Sequence, residues 1–320
     1  MISEERSTEG GLLSMSEPHE LDVVTGAFGY TGKYITRRLL DSGRRVRTIT
    51  GHPKRANTFG NDVEIASMDF SDRAGLVRSL RGASVLYNTY WVRFNHGRAT
   101  FDEAVTNSRV LIRAAREAGV RRIVHLSIAN PSLDSQLPYY SGKAQVEKAI
   151  VDSGLSYAIL RPTVIFGAED ILINNIAWFT RHFPVFAIPG SGQYQLQPIF
   201  VEDLADLAID SARQENDVVL DAVGPEVLAF KDLVQKIGMA VGARPKFVHV
   251  NPRAAIRMLR LVGPIVGDVI LTREEIEGLM ANLLVSKHPA PGRTPFSAWL
   301  AQNARILGKR YASELQRHYQ

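Results

Sequence analysis

The sequence contains no cysteine, which excludes disulfide bonds, thiolate metal sites and cysteine nucleophiles. This composition permits a reducing compartment, and we expect a cytoplasmic protein. Eight histidines are present, but none forms an HExxH-like pair, so we also expect no metal site.

Long apolar runs are missing as well. The most apolar late stretch, 259–271, contains Arg260, Gly263, Pro264 and Asp268, and it is far shorter than the roughly 20 residues that a spanning helix needs. The first 20 residues lack the basic start and apolar stretch of a secretory signal. We therefore expect no membrane span and interpret residues 1–20 as a flexible tail.

Neither positive nor negative charge is in large excess. The chain has 38 Lys and Arg against 33 Asp and Glu, a formal charge of +5, and it contains no run of basic residues. Nucleic acid is therefore not an expected partner, whereas a small-molecule substrate is. The sequence carries no signal for an oligomeric state.

Short β-rich runs alternate with helix-period segments from Leu21 onwards. Between 21 and 162 this pattern forms six strand–helix units, which is typical of an α/β fold with a doubly wound parallel sheet, the Rossmann architecture. The regular alternation of strand-like and helix-like segments ends after Gly167. We predict a dinucleotide-binding domain at 21–167 and a smaller substrate lobe at 168–320, with 197–224 returning to the core.

Two segments of the predicted lobe carry helix-start signals. Thr272 and Glu275 have capping-box spacing, and Thr294 places a cap before a proline suited to the first helical position. We predict that a helix begins at each.

A glycine-rich turn follows the first predicted strand. Gly26 allows a tight turn, Gly29 lets backbone amides approach a pyrophosphate, and Gly32 lets helix and strand pack closely. An ordinary strand-to-helix turn is the alternative. The predicted cofactor contacts here are Gly26, Phe28, Gly29, Tyr30, Thr31 and Gly32.

The Gly-x-x-Gly-x-x-Gly spacing of this turn resembles the short-chain dehydrogenase/reductase superfamily, in its extended or atypical epimerase/dehydratase-like branch. That branch includes the nucleotide-binding accessory subunit of respiratory complex I. The segments 161–167, 197–205 and 224–226 also resemble the family, so the resemblance runs from Leu21 to about Gly242. It implies an NAD(P) cofactor and a carbonyl, alcohol or epimerisation chemistry.

The second strand ends without the acidic residue that binds the ribose of NAD. Instead, His52, Lys54 and Arg55 are available to a 2′-phosphate. NADP(H) is therefore the favoured cofactor, and NAD(H) stays possible because the same residues also suit a solvated turn.

Further cofactor contacts are expected at the carboxyl ends of later strands. The resemblance implies that Asp69 binds the adenine amine, although this residue also suits a helix cap. It places the backbone after Asn88 against the cofactor, and Tyr90, Trp91 and Phe94 near the nicotinamide and substrate, unless these aromatics pack in the core. The full set of expected contacts at these strand ends is Asp69, Phe70, Asn88, Tyr90, Pro162 and Thr163.

Ser127, Tyr139 and Lys143 match the Ser and Tyr-x-x-x-Lys arrangement of the family. Tyr139 and Lys143 are four residues apart on one helix face, where the ammonium and the positive charge of the nicotinamide would together lower the phenol pKa so that Tyr139 exchanges a proton with the substrate. Lys143 would also bind the nicotinamide ribose, and Ser127 would orient the substrate oxygen. Tyr140 is the other candidate for the proton donor, but it lies three residues from Lys143 and so misses the family's spacing. The alternative to a catalytic motif is that Tyr139 and Lys143 are a surface helix pair. Gly142 indicates a close approach of backbone or cofactor.

These features favour an NADP(H)-dependent oxidoreductase or epimerase acting on a carbonyl or alcohol. Four aromatic residues in 171–189 suit an apolar substrate, unless they are ordinary core: Trp178, Phe179, Phe183 and Phe186. The alternative function is a non-catalytic NAD(P)-binding sensor or accessory subunit.

Overall fold

A computed structural model describes residues 20–53, 55–257 and 268–318. The predicted tail, Lys54 and most of the 259–271 run lie outside these residues. Within the described ranges, no helix is both long and apolar enough to cross a membrane. The same ranges contain no cluster of three or more histidine or carboxylate side chains able to bind a metal ion.

Seven parallel strands form the main sheet, which confirms the predicted doubly wound α/β fold. The strands are β1 (Leu21–Thr25), β2 (Arg45–Thr50), β3 (Val63–Ser67), β4 (Ala83–Asn88), β5 (Arg122–Leu126), β6 (Ser156–Pro162) and β11 (Val218–Ala222). Their spatial order is β11-β6-β5-β4-β1-β2-β3, so the order reverses beside β1 and creates the crevice where such sheets bind nucleotides.

Helices cover both faces of this sheet. One face packs against α1 (Tyr30–Asp41) and α6 (Val201–Arg213). The other packs against α2 (Arg73–Leu80), α3 (Phe101–Glu117) and α4 (Pro138–Val151). Each helix buries an apolar stripe on the sheet, as Ala104, Ser108, Leu111 and Ala115 do on α3.

A third apolar core lies beyond the carboxyl edge of the sheet, around Phe166. The Phe166 ring meets the Phe296 and Trp299 rings with centroids 5.1 and 5.2 Å away. Around this core lie α5 (Ile171–His182), α7 (Phe230–Ala240) and the helices Arg273–Met280, Phe296–Asn303 and Glu314–His318. Three two-stranded sheets accompany them, namely β7 (Ile165–Phe166) with β10 (Ile199–Phe200), β9 (Gln195–Leu196) with β12 (Leu228–Ala229), and β8 (Val185–Pro189) with β13 (Lys246–Val250). Residues 60–62 form a 3-10 turn and 252–257 are helical.

Residues 199–222 return to the main sheet from this third core. Strand β11 pairs in parallel with β6, from Val218 opposite Ala158 to Ala222 opposite Pro162. The fully buried Arg122 donates from Nε to the Ser211 carbonyl at 3.1 Å and from Nη2 to the Asn216 carbonyl at 2.8 Å. The division of the chain near residue 167 stays a prediction.

The two predicted helix starts differ in outcome. Thr272 is the N-cap of helix Arg273–Met280, and both hydrogen bonds of its capping box with Glu275 are present. A helix also begins next to Thr294, at Phe296, but its cap position is Pro295 and not Thr294. Both the amide and the hydroxyl of Thr294 are instead bound to the carboxylate of Asp203 on α6.

Candidate cofactor and substrate site

The glycine turn between β1 and α1 has the construction of a phosphate-binding helix start. Gly26 lies at φ +66°, a region that favours glycine, and its carbonyl accepts the Gly29 amide at 2.8 Å. A Cβ on Gly32 would lie 2.3 Å from that carbonyl oxygen, so no larger residue fits. Gly29 precedes α1 and has no side chain with which to cap it. The turn therefore fits a dinucleotide pyrophosphate at the helix N-terminus.

The remaining residues of the turn connect it to its surroundings. Phe28 packs against the core beneath α1 and α6, and Thr31 lies half-buried in the first helical turn. Tyr30 lines a cavity at the sheet edge. A Cβ on Gly167 would lie 2.6 Å from the Tyr30 hydroxyl oxygen, so that glycine makes room for the tyrosine.

The basic segment after β2 is a turn close to the sheet edge. The His52 amide donates to the Thr50 hydroxyl at 3.0 Å, and the Arg55 amide donates to the His52 carbonyl at 3.1 Å. The His52 side chain is exposed and that of Arg55 is half-buried. These residues remain predicted contacts for a 2′-phosphate.

The structure brings the ends of β3 and β4 together. The Phe70 and Tyr90 rings pack with centroids 4.9 Å apart, and the Tyr90 hydroxyl accepts a hydrogen bond from Asn107. Asp69 accepts the amide and hydroxyl of Ser71, and these hydrogen bonds lower the pKa of the Asp69 carboxyl. The cap of α2 is Asp72, so Asp69 does not serve as that cap.

Asn88 and Thr163 use their side chains within the protein. The Asn88 amide nitrogen lies 3.1 Å from His125 Nδ1, and its oxygen accepts the Tyr90 amide at 3.1 Å. Burial, with a contribution from Lys143, lowers the pKa of His125, so this imidazole is neutral. The Thr163 hydroxyl donates to the Gln197 carbonyl beside the buried Pro162. A cofactor contact from these residues would therefore use the backbone.

Lys143 is buried, with only 3% of its surface exposed. Its Nζ donates to the Leu126 carbonyl at 2.8 Å and lies 4.6 Å from the centroid of the Trp91 ring. Burial lowers the pKa of Lys143 to about 7, although Glu147 opposes this shift. A Cβ on Gly142 would come within 3.0 Å of the same indole, so the close approach predicted at Gly142 is made by Trp91.

Tyr139 also contacts the Trp91 indole. Its ring packs edge-on against Trp91, Phe101 and Tyr140 with centroids 5.6 to 5.9 Å away. Burial, with the neighbouring Tyr140 and Glu275, raises the pKa of Tyr139. The lowering expected from the Lys143 ammonium is therefore not seen, since no hydrogen bond among the described residues joins Tyr139 to Lys143 and Lys143 Nζ is bound to the Leu126 carbonyl. The lowering expected from the charge of the nicotinamide stays a prediction.

Ser127 directly follows β5 and has a buried hydroxyl. Its amide donates to the Leu160 carbonyl at 2.7 Å, but its Oγ has no hydrogen-bond partner among the described residues. The same holds for the indole nitrogen of Trp91. Unpaired buried donors are costly, so both atoms are suited to a bound molecule.

Tyr139 and Tyr140 line a cavity of about 360 Å³ between the main sheet and the third core. This volume suits a small-molecule ligand. Apolar residues dominate the lining, among them Phe101, Ile128, Val164, Ile165, Leu172, Leu196, Phe230 and Leu233. Trp91 and Phe94, which the sequence places near the substrate, are not among the lining residues, because Trp91 packs on Lys143 and Phe94 is buried.

The charged groups of this cavity are mostly acidic. Arg93 donates from Nε to Glu275 at 2.6 Å and from Nη1 to Glu314 at 2.9 Å. Burial alone would lower the pKa of Arg93, but the two carboxylates outweigh it and raise the pKa. Asp170 and Glu274 also line the cavity, which gives four carboxylates against one guanidinium.

This ion-pair group was not predictable from the sequence pattern. Arg93 follows β4, whereas Glu275 and Glu314 lie 182 and 221 residues further along the chain. No local spacing links them. The available signal was an arginine among the apolar residues at a strand end, which needs a carboxylate partner if it is buried.

Three comparisons bear on this site. A family model described as NAD(P)H-binding matches residues 26–171. A Streptomyces griseus protein, (4-alkanoyl-5-oxo-2,5-dihydrofuran-3-yl)methyl phosphate reductase, is 26% identical over 292 residues, covering 88% of this chain and 97% of that protein. An Arabidopsis thaliana protein, mitochondrial NADH dehydrogenase [ubiquinone] 1 alpha subcomplex subunit 9, is 21% identical over 282 residues, covering 82% and 70% of the two chains.

Solved structures share the fold. Triphenylmethane reductase from Citrobacter sp. has a TM-score of 0.76 and 18% identity, covering 89% of this chain and 99% of its own. A second structure of that reductase is complexed with NADP(H), with a TM-score of 0.73. These findings agree with the resemblance to the extended short-chain dehydrogenase/reductases, and residues 26–171 of this chain match an NAD(P)H-binding family model.

Proposed function

We propose that the protein is an NADPH-dependent reductase of neutral, apolar carbonyl compounds. The observation that carries this proposal is the cavity of about 360 Å³, onto which both Tyr30 of the glycine turn and Tyr139 open. One cavity would thus connect the expected cofactor site with a proton donor. Its apolar lining matches a substrate with little charge.

The cofactor would be held by the turn and strand ends already described. Gly26, Gly29 and Gly32 fit its pyrophosphate, and His52 and Arg55 supply positive charge for a 2′-phosphate. When bound, NADPH supplies a hydride. NADH is the alternative reductant, because the basic turn also suits a solvated loop.

Tyr139 would give its proton to the substrate oxygen as the carbonyl carbon gains a hydrogen and the C=O bond becomes a C–O single bond. The raised pKa of Tyr139 keeps its phenol protonated at neutral pH. A protonated phenol can donate its proton to the substrate oxygen during reduction. The unpaired Ser127 hydroxyl would orient the same oxygen.

The acidic lining separates this protein from its Streptomyces relative, whose name specifies a phosphate-bearing substrate. A phosphate here would face Glu274, Glu275 and Glu314, and Arg93, the one cation among the described lining residues, is already paired. Like charges disfavour such a ligand. We therefore assign uncharged carbonyl compounds and not their phosphate esters.

The test is NADPH oxidation with a panel of apolar aldehydes, ketones and quinones. Tyr139→Phe should lower turnover by roughly 10²- to 10⁴-fold, because it removes the proton donor and keeps the ring. Its NADPH affinity should stay within a few-fold of the wild type. Tyr140→Phe is the matched control and should be mild. Full turnover in Tyr139→Phe would refute the assigned role.

A second candidate function is a non-catalytic NADPH-binding accessory role. It is favoured by Lys143, which is bound to the Leu126 carbonyl and Trp91 and does not reach Tyr139 by a hydrogen bond. The relation to the Arabidopsis complex subunit agrees with this alternative. Tight NADPH binding with no oxidation across the whole panel would establish it over the reductase.

A further inference from the structure

A second cavity of about 260 Å³ adjoins the first. We call the cavity beside Tyr139 the head chamber and this one the tail chamber. They share six lining residues, Arg93, Ile171, Leu172, Phe230, Leu271 and Leu279. The same side chains therefore bound both spaces, and a ligand longer than the head chamber would continue into the tail chamber.

The tail chamber offers almost no polar groups to a ligand. Among the described residues that line it, Arg93 is the one that carries charge, and it is paired with Glu275 and Glu314. Asn175 also lines it, but its amide is occupied on both sides by the backbone of Ala312, at 3.0 and 2.8 Å. An alkyl or ring system would bury its surface here without displacing a hydrogen bond.

Tyr194 is the exception. It lines the tail chamber, is 6% exposed, and its hydroxyl has no hydrogen-bond partner among the described residues. Its ring is fixed by stacking on Phe230, with centroids 5.5 Å apart. A buried hydroxyl without a partner is unfavourable, so a ligand that brought an acceptor to Tyr194 would gain a hydrogen bond there.

We propose that the substrate is elongated, with its reactive carbonyl in the head chamber, an apolar chain in the tail chamber, and an oxygen along that chain that accepts a hydrogen bond from Tyr194. This inference rests on the proposed function for the position of the reactive carbonyl. The chain would pass Phe230 and Leu271, which border both chambers.

The first experiment measures chain length. Dissociation constants of methyl ketones, from acetone upwards, are determined by calorimetry with protein saturated with NADP⁺, so that turnover is not needed. Each added methylene should tighten binding about fourfold, from the free energy of burying a CH₂ group, until the tail chamber is full. An affinity that does not change with chain length would overturn the proposal.

Two variants change the size of the tail chamber. Ala187→Phe should abolish the gain for long ketones and leave acetone unaffected, whereas Phe186→Ala should move the plateau to longer chains. Ala301→Phe, at an exposed position of helix Phe296–Asn303, is the matched control and should keep the wild-type series. NADP⁺ affinity reports on folding of each variant. A wild-type series in both chamber variants would exclude this space as the binding site.

The second experiment tests Tyr194. Tyr194→Phe should weaken binding of chains that carry an ether or keto oxygen by about three- to tenfold, and should leave plain ketones of equal length unchanged. Tyr157→Phe, on β6 and outside both chambers, should change neither. Equal losses for oxygenated and plain chains would refute the hydrogen bond. Chain-length-dependent binding without NADPH oxidation would refute the reductase alone, and oxidation without chain-length dependence would refute this inference alone.

Discussion

The amino group of Lys143 is buried, and burial disfavours its charged form. Its nearest favourable contacts are the Leu126 carbonyl and the Trp91 ring, and Glu147 favours the charged form. Burial outweighs them and lowers the pKa to about 7, from 10.5 in an exposed lysine. The folded protein therefore binds this proton less tightly than the unfolded chain does.

This difference predicts a stability that rises with pH. Between about pH 7 and 10.5 the unfolded chain keeps the proton of Lys143 and the folded chain loses it, so the group contributes a slope of up to about 1.4 kcal/mol per pH unit. Urea unfolding at a series of pH values should show the rise, and Lys143→Met should flatten it. Parallel curves for the two proteins would contradict the lowered pKa.

A single glycine provides a sharp test of the turn. Gly32→Ala would place a methyl group 2.3 Å from the Gly26 carbonyl oxygen, so the turn must shift, and we expect calorimetry to detect no NADPH binding. Gly51→Ala is the control, because its Cβ would make an ordinary 3.7 Å contact with the Met68 carbonyl. Normal NADPH affinity in Gly32→Ala would place the cofactor elsewhere.

Residues with local roles were predictable, and residues with distant partners were not. The glycine turn needs only neighbouring residues, so its sequence spacing was informative. The ammonium of Lys143 lies over the ring of Trp91, 52 positions earlier in the sequence, and the Tyr-x-x-x-Lys pattern carries no sign of that contact. The effect of Lys143 on the pKa of Tyr139 was mispredicted for the same reason.

At the scale of elements, the turn after β2 determines the predicted cofactor preference. His52 and Arg55 lie there, and no acidic residue ends the strand. Changing both to alanine should weaken NADPH binding roughly ten- to a hundredfold, the loss of a charge-assisted contact, and should leave NADH nearly unaffected. Calorimetry with both cofactors measures this. Equal losses for the two cofactors would show that the 2′-phosphate lies elsewhere.

The order of strands and helices in the main sheet was predictable because each element has a local period. The tail chamber was not predictable from the sequence. Its walls come from α5, β8, α7 and residues 270–279, which are separate in sequence, and the same apolar residues would equally suit an ordinary core. Tyr194 follows a glycine-rich turn, where nothing in the sequence marks its hydroxyl as unpaired.

At the scale of the whole molecule, the region that matches the NAD(P)H-binding family model ends before the last strand of the main sheet. Residues 26–171 lack β11 and α6, yet α6 buries Val201, Leu204 and Ala205 against the same face as α1. The elements within residues 26–171 and those that follow therefore bury apolar surface and polar groups against one another. Stability is therefore expected to be a property of the complete sheet.

A fragment of residues 20–171 should accordingly fail to fold cooperatively. It would leave the Arg122 guanidinium without the Ser211 and Asn216 carbonyls and expose the face that α6 covers. Circular dichroism and thermal unfolding of the fragment, beside the full chain and a fragment ending at 224, would measure this. A sharp unfolding transition in the short fragment would contradict it.

The position of β11 has a consequence for synthesis on the ribosome. Until residues 218–222 emerge, β6 is an open sheet edge whose backbone groups are free to pair with another nascent chain. At translation rates of about 5–20 residues per second, the interval between completing β6 and completing β11 lasts roughly 3 to 12 seconds. Slowed translation across this interval should increase aggregation during expression, whereas slowing after residue 222 should not.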